Sequence, residues 1–284
     1  MRTPPIHPAR AAAALALLLA AALPAPAGAA APRTTVYAGS TSADQYPLVL
    51  RVRGQRVVGF SAMYRADCRT GTTYRFGDTI DLTKAGAAPA IAGRRFTAAY
   101  EQQVDVGDGL LAVERITIKG TVGATRISGT VSGSARVGAD AAAPIDTCST
   151  PALRFVVRHE RGRVFGGSTS QRLPVVLELS AKRANVDHLH FGWTALCASG
   201  GGIQFGDFLI NFPVAAGRFG DVFTQRFDRD DQGINAYAYD IAGRVVRTTG
   251  GARGRFSVAL TATSASGAQE LSCRTGSVTF TATS

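Results

Sequence analysis

The residues of this chain with the clearest chemistry are its four cysteines, Cys68, Cys148, Cys197 and Cys273. Structural zinc sites typically carry Cys-x₂-Cys pairs, and no such pair occurs in this sequence. In a chain that leaves the cytosol, an even number of widely spaced cysteines predicts disulfides instead. Four cysteines allow three pairings, so the partners have to be chosen from the organisation of the chain.

The segment Asp187-His188-Leu189-His190 contains the only histidine cluster. In a β-strand, His188 and His190 would share one face, which is how some metal sites begin. That face lies opposite the apolar positions of the same strand and should point outward, and the sequence supplies no third ligand. We therefore interpret both histidines as surface residues, with weak metal binding as the alternative.

The segment Asp228–Gly233 resembles the start of a calcium loop, in which spaced oxygen ligands precede a glycine at a sharp turn. The match ends at Gln232 in the fifth position and at Tyr239 in the twelfth, where a bidentate glutamate is needed. Asp228 and Asp230 are therefore weak metal candidates, and a solvated acidic turn is the favoured interpretation. The sequence gives no reason to expect a cofactor.

No set of residues suited to catalysis emerges from the sequence. The serines include no Gly-x-Ser-x-Gly elbow before a helix, and the histidines lie outside any evident triad. Asp78 and Asp207 each follow a Phe-Gly pair, which predicts a turn whose carboxylate bonds nearby backbone N–H groups. We therefore predict that the protein is not an enzyme, with a secreted hydrolase that uses two carboxylates as an alternative.

The segments that must position these residues occur twice in the sequence, which indicates an internal duplication. Landmarks recur in the same order at offsets of 123 to 129 residues. The matched segments are Tyr37–Ser42 with Phe165–Ser170, Cys68 with Cys197, Phe76–Asp78 with Phe205–Asp207, and Cys148 with Cys273. The duplication pairs Cys68 with Cys148 and Cys197 with Cys273, because each copy should close its own disulfide. We expect copy 1 at residues 37–160 and copy 2 at residues 161–284, after a short linker at residues 30–36.

Each copy has the sequence pattern of an all-β domain. Alternating runs such as Leu48–Arg53 and Phe256–Thr261 are separated by glycine-containing breaks about every ten residues, which is typical of a β-sandwich or a barrel. Two sets of apolar residues occupy every second position, as residues on one face of a strand do. The first set is Phe60, Ala62, Tyr64, Ala66 and Cys68, and the second set is Leu189, Phe191, Trp193, Ala195 and Cys197. These stripes should face the core. The sequence therefore predicts two tandem homologous domains, each a β-sandwich or barrel.

The segment Tyr239–Val245 looks like one unit of the YD repeats of secreted bacterial toxins and wall proteins. Those repeats act as long arrays, whereas the unit occurs once here. We therefore interpret it as a β-hairpin whose turn falls near Ala242 and Gly243.

The N-terminus has the layout of a secretory signal peptide. Arg2 and Arg10 lie in a short polar head, residues 11–23 form an Ala/Leu run, and Ala27-Gly28-Ala29 offers small residues for cleavage. No other stretch approaches 18 apolar residues, so we expect a mature chain without a transmembrane segment. Residues 1–29 are predicted to be the signal peptide of a secreted or cell-envelope protein.

The chain is strongly basic, with 31 Lys and Arg against 20 Asp and Glu, and only three of the basic residues are lysine. Arginine suits bidentate contact with phosphate, sulfate or carboxylate. A GC-rich genome would also enrich arginine, and the basic residues are dispersed, so composition alone is the favoured interpretation. Motifs for nucleic-acid recognition are absent, which argues against a genomic role.

Three features carry a resemblance to a known family: the Gly-Ser-Thr-Ser openings, the proline of the first strand, and the Cys-Arg-Thr-Gly segments at Cys68 and Cys273. The chain resembles the tandem two-Cys β-domains found in uncharacterised secreted proteins of GC-rich Gram-positive bacteria. That resemblance implies no activity. We expect a secreted, non-enzymatic binding or structural protein, with an anionic cell-wall polymer or polysaccharide as a partner. A carbohydrate-binding β-sandwich is the alternative, weakened by the inward register of Tyr64 and Trp193.

Overall fold

The computed structural model describes residues 32–42, 45–107, 109–139, 144–246 and 250–284. These residues form β-strands and connecting segments without an α-helix, which confirms the all-β prediction. None of them belongs to a helix long and apolar enough to cross a membrane. The predicted signal peptide at residues 1–29 lies outside the described residues.

Within the described residues, eighteen strands form two sheets. The first sheet contains β1 (Thr34–Thr41), β2 (Pro47–Arg53), β3 (Arg56–Cys68), β4 (Thr73–Asp81), β5 (Arg95–Gly107), β6 (Leu110–Val122), β7 (Arg126–Gly138), β8 (Asp146–Ser149) and β9 (Leu153–Arg158). The second sheet contains β10 (Val164–Thr169), β11 (Pro174–Leu179), β12 (Asn185–Cys197), β13 (Gly202–Pro213), β14 (Arg218–Asp228), β15 (Ile234–Val246), β16 (Gly251–Thr263), β17 (Gln269–Arg274) and β18 (Val278–Thr283).

The two sheets have the same strand order. In the first sheet the order is β4-β3-β2-β1-β9-β7-β6-β5, and the short strand β8 pairs with both β3 and β7. Strand β8 therefore closes a six-stranded barrel of β3, β2, β1, β9, β7 and β8. Strand β17 does the same in the second sheet by pairing with β12 and β16. This is the arrangement that the duplication predicts, although common ancestry itself stays a prediction.

Each sheet continues past its barrel to two edge strands that do not pair with each other. In the first sheet these are β4 and β5, and in the second sheet they are β13 and β14. We call the gap between β4 and β5 the first seam and the gap between β13 and β14 the second seam. The seams are where side chains on the inner face of a sheet come closest to solvent.

The apolar stripe predicted for each sheet faces the core. Phe60, Tyr64, Phe191 and Trp193 are at most 1% exposed, because alternate residues of β3 and β12 point into their barrels. The opposite face of β3 is buried as well, since Met63 lies between the sheets and packs near Gly77, Gly192 and Gly206. Burial on both faces explains why β3 is apolar at consecutive positions.

The two sheets pack against each other mainly through their first two strands. Strand β1 contacts β10, and β2 contacts β11. A small apolar core lies between them and consists of Val36, Ala38, Val49, Val164 and Val176. A Cβ atom on Gly166 of β10 would come within 2.7 Å of the Ala38 Cβ and 2.8 Å of the Val49 Cγ1. Glycine is therefore required at this position for the close approach of the two sheets.

Candidate functional site

Both predicted disulfides are present. Cys68 of β3 bonds Cys148 of β8, and Cys197 of β12 bonds Cys273 of β17. Each pair is directly opposite across two antiparallel strands, so each disulfide fixes the strand that closes a barrel. Two disulfides and no free cysteine indicate an oxidising environment.

Metal-ligating groups do not converge at the predicted histidine or aspartate positions. Among the described residues, the one cluster of three His, Cys, Asp or Glu ligand atoms is Cys68, Asp146 and Cys148. Its two sulfur atoms are joined in a disulfide and have no thiolate to offer. Asp228 and Asp230 are exposed at the β14–β15 connection, as the acidic-turn interpretation predicts.

The surface interpretation is right for His188 and wrong for His190. His188 is partly exposed, with Nδ1 3.4 Å from the Glu178 carboxylate. His190 is 4% exposed, because the outer face of β12 is covered by the first sheet there. Its Nδ1 lies 3.0 Å from the Gln45 carbonyl oxygen, and its ring stacks on Phe208. Burial lowers the pKa of His190 from 6.5 to about 4, so this residue joins the two sheets as a neutral side chain.

Asp78 and Asp207 lie in the middle of β4 and β13 and not in turns, which corrects the turn prediction. Asp78 forms a bidentate ion pair with Arg172 in the connection between β10 and β11, at 3.0 and 3.2 Å. Asp207 Oδ2 accepts hydrogen bonds from Trp193 Nε1 at 2.6 Å and Tyr239 Oη at 3.0 Å. Asp78 therefore links the sheets, while Asp207 lies at the second seam.

The predicted turn near Ala242 and Gly243 is also wrong. Strand β15 runs without interruption from Ile234 to Val246 and pairs with both β14 and β16 across this segment. A Cβ atom on Gly243 would lie only 2.3 Å from the Phe219 ring. The glycine makes room for an aromatic ring within a strand.

The first seam is filled by its own side chains. Glu114 of β6 accepts hydrogen bonds from Tyr64 Oη at 2.8 Å and Gln102 Nε2 at 2.9 Å. Burial raises the pKa of Glu114, against the two hydrogen bonds, which lower it. The cavity that remains here has a volume of only about 10 Å³. This carboxylate therefore stabilises packing and has little access to a ligand.

The second seam is open. It contains a cleft of about 300 Å³ lined by Asp207, Phe208, Gln225, Phe227, Asn235, Tyr237 and Tyr239. Burial raises the pKa of Asp207, although its bonds from Trp193 and Tyr239 act in the opposite direction. The cleft thus combines aromatic rings, two amides and one carboxyl group, which is the mixture typical of small-ligand sites.

A row of three arginines crosses the outer face of the second sheet. Arg218 of β14 is directly opposite Arg244 of β15, which is directly opposite Arg253 of β16. All three are exposed, and among the described residues none of them forms an ion pair with a carboxylate. We call these residues the arginine row. The corresponding row of the first sheet is Arg95, Thr121 and Ser128, so the accumulation of charge is specific to the second sheet.

The arginine row adjoins a shallow groove of about 730 Å³ on the same sheet. Its polar lining includes Thr224, Asp240, Arg255, Ser257, Arg274 and Ser277. Arg255 lies two residues after Arg253 on β16 and therefore on the same face. The groove extends the basic surface, with Asp240 as its one acidic side chain. The alternation of side chains along each strand is enough to assign these arginines to the outer face. Only the pairing of the three strands shows that they lie in one row.

Comparison of the chain with protein-family models, with curated proteins and with solved structures found no match.

Proposed function

We propose that this chain is a secreted, non-enzymatic binding protein that contacts an anionic polymer of the cell envelope. The contact surface is the outer face of β14, β15 and β16, where the arginine row adjoins the groove containing Arg255 and Arg274. The N-terminal sequence supports export, and the two disulfides fit the same compartment.

The arginine row is the observation that carries the proposal. Strands in a sheet are about 4.8 Å apart, so three guanidinium side chains start within about 10 Å of one another. Like charges directly opposite each other in a sheet are destabilising, and cross-strand side-chain pairs interact by roughly 0.2–1 kcal/mol each. A polymer that presents several phosphate or carboxylate groups would neutralise these charges, and arginine binds such groups in a bidentate fashion. The protein thus keeps an unfavourable arrangement that a polyanion would make favourable.

We also propose that the two sheets are duplicated domains that correspond to the copies at residues 37–160 and 161–284. The first sheet begins slightly earlier, because Thr34 to Val36 of the predicted linker belong to β1. The same strand order and the equivalent disulfides support this. The arginine row is then a feature acquired by the second copy alone, since the first copy has Thr121 and Ser128 at two of its three positions.

The test is retention on polyphosphate-coated beads across a salt series, with neutral dextran beads as the reference. Screening by salt weakens contacts between exposed charges, so the wild-type protein should be released as the salt concentration rises. Arg244→Gln, at the centre of the row, should be released at a clearly lower salt concentration. Arg95→Gln removes the same charge from the equivalent edge of the first sheet and should behave like wild type.

Two results contradict the proposal. Equal effects of Arg244→Gln and Arg95→Gln would mean that net charge, and not the row, governs retention. Retention that does not depend on salt, or no retention at all, would mean that the protein does not bind polyanions through this surface.

A further inference from the structure

The two seams occupy equivalent places but are built differently. Gln102 of the first sheet is opposite Glu114, whereas Gln225 of the second sheet is opposite Tyr237. Val104 is opposite Ala112 in the first sheet, and the corresponding pair in the second sheet is Phe227 and Asn235. The first seam is thus closed by a buried hydrogen-bonded carboxylate, and the second seam has aromatic and amide groups around an open cleft.

The aromatic side chains of the second seam are partly free to contact a ligand. Phe227 is 52% exposed and Phe208 is 37% exposed. Tyr237 lies edge-on to Phe227, with the ring centroids 5.7 Å apart. Exposed rings at a concave surface are unusual, because burying each would stabilise the protein by roughly 1.5–3 kcal/mol. Their exposure at a cleft indicates a surface that is covered by a ligand.

The polar groups of the second seam are also unpartnered. Among the described residues, no hydrogen bond reaches the side-chain amides of Gln225 and Asn235 or the hydroxyl group of Tyr237. The two hydrogen bonds to Asp207 both end on Oδ2, which leaves Oδ1 to accept another. The cleft therefore offers both hydrogen-bond donors and hydrogen-bond acceptors beside aromatic rings.

The charge at the second seam is balanced. Arg75 of the first sheet places its guanidinium carbon 4.0 Å from the centroid of the Phe205 ring. Phe205 is directly opposite Trp193, the donor to Asp207, so a cation and a carboxylate lie near the same cleft. A cationic ligand would meet Arg75, and an anionic ligand would meet Asp207. The lining therefore favours an uncharged ligand that has many hydroxyl groups.

We propose that the second seam is a binding site for one or two uncharged sugar rings. A sugar ring stacks its C–H face on an aromatic side chain, for which Phe227 and Tyr237 are placed. Its hydroxyl groups both donate and accept hydrogen bonds, which suits the amides of Gln225 and Asn235 together with Asp207 Oδ1. The aromatic residues that carry this site are Phe227 and Tyr237, and the site is independent of Tyr64 and Trp193, which are buried. The proposal does not rest on the arginine row, which lies on the opposite face of β14 and β15.

The protein contains its own reporter for this site. Trp193 is the only tryptophan in the chain, and its indole N–H bonds the Asp207 carboxylate at 2.6 Å. A sugar hydroxyl that binds Asp207 changes the electrostatic environment of this indole. We expect maltotriose, cellotriose or chitotriose to cause a saturable change in tryptophan emission, with a matching heat signal in calorimetry. Choline chloride, which tests the aromatic rings as a cation site, should cause neither.

Variants locate the effect. Phe227→Ala and Asn235→Ala should each weaken binding of the active trisaccharide at least tenfold. Leu196→Ala removes a side chain that is 74% exposed elsewhere on the second sheet and should bind like wild type. Arg244→Gln should also bind the sugar normally, so a failure of the polyanion proposal is distinguishable from a failure of this one. Circular dichroism verifies that each variant is folded.

Three outcomes would overturn the assignment. The first is the absence of both a fluorescence change and a heat signal with all three trisaccharides. The second is binding that Phe227→Ala and Leu196→Ala change equally. The third is saturable binding of choline in place of sugar, which would make the cleft a cation site.

Discussion

Replacing the central arginine of the arginine row should make the free protein more stable. Arg244 is directly opposite both Arg218 and Arg253, so Arg244→Gln removes two like-charge pairs. At roughly 0.2–1 kcal/mol per pair, the free energy of unfolding should rise by about 0.4–2 kcal/mol at low salt. Arg218→Gln and Arg253→Gln each remove one pair and should give about half that gain.

Salt dependence separates this electrostatic gain from other effects of the substitution. The Debye length is about 30 Å at 0.01 M salt and about 3 Å at 1 M salt, so the gain should largely disappear at 1 M. Urea unfolding at the two salt concentrations measures it, and an unchanged m value would show that the unfolded state is not altered. Arg95→Gln is the control, because Arg95 is opposite Thr121 and no like-charge pair is removed.

The reasoning is refuted if Arg244→Gln destabilises the protein, or if its gain is the same at 0.01 M and 1 M salt. Either result would mean that the three guanidinium groups of the free protein do not repel one another. The row would then give no reason to expect a polyanion, and the proposed function would lose its main support.

Three other changes test the framework itself. Removing the first disulfide with Cys68→Ala and Cys148→Ala, which are 80 residues apart, should lower the free energy of unfolding by about 4 kcal/mol in urea titrations. Because burial lowers the pKa of His190 from 6.5 to about 4, the unfolded chain binds a proton that the folded chain does not between these pH values. Stability should therefore fall by up to about 3 kcal/mol as the pH drops from 6.5 to 4, and His190→Asn should remove this part of the pH dependence. Gly166→Ala should cost roughly 1–3 kcal/mol through overpacking between the sheets, whereas Gly202→Ala, whose Cβ would meet no atom closer than 3.4 Å, should cost less in thermal unfolding.

Strand alternation and the cysteine count predict a large part of the core. The stripes through Phe60 and Tyr64 and through Phe191 and Trp193 are buried as expected, because the side-chain period of a strand depends only on local geometry. The disulfide partners follow from the assumption that each copy closes its own bond. Nothing in the sequence distinguished a sandwich from a barrel, since that choice depends on the pairing of the short strands β8 and β17.

Glycine is the main source of the wrong predictions. The sequence Phe-Gly-Asp predicts a turn, but a Cβ atom on Gly206 would lie 2.8 Å from the Tyr46 ring in the connection between β1 and β2. Gly243 likewise makes room for the Phe219 ring. Both glycines are needed for close approach within a strand, and both look like turn residues when the neighbouring element is unknown.

The histidine prediction was wrong for a related reason. Alternation correctly places His188 and His190 on the face opposite the core stripe, but it does not tell which part of that face another sheet covers. His190 lies under the first sheet near Gln45, and His188 lies beyond that contact. The arginine row could not be predicted for a similar reason. Arg218, Arg244 and Arg253 become neighbours only through the register of three long strands.

The two seams provide an internal comparison that separates the needs of the fold from those of a ligand. The first sheet keeps the same strand order with Val104, Ala112 and Glu114 at the positions where the second sheet has Phe227, Asn235 and Tyr237. The barrel therefore does not need exposed aromatic rings or unpaired amides at its seam. In the first sheet, the buried carboxylate accepts two hydrogen bonds and closes the gap. In the second sheet, Tyr237 stands at the position of Glu114. The carboxyl group at this seam is that of Asp207 on β13, where Trp193 and Tyr239 hold one oxygen and leave the other available. Groups that the fold can do without, gathered at one open cleft, are best explained by what they bind.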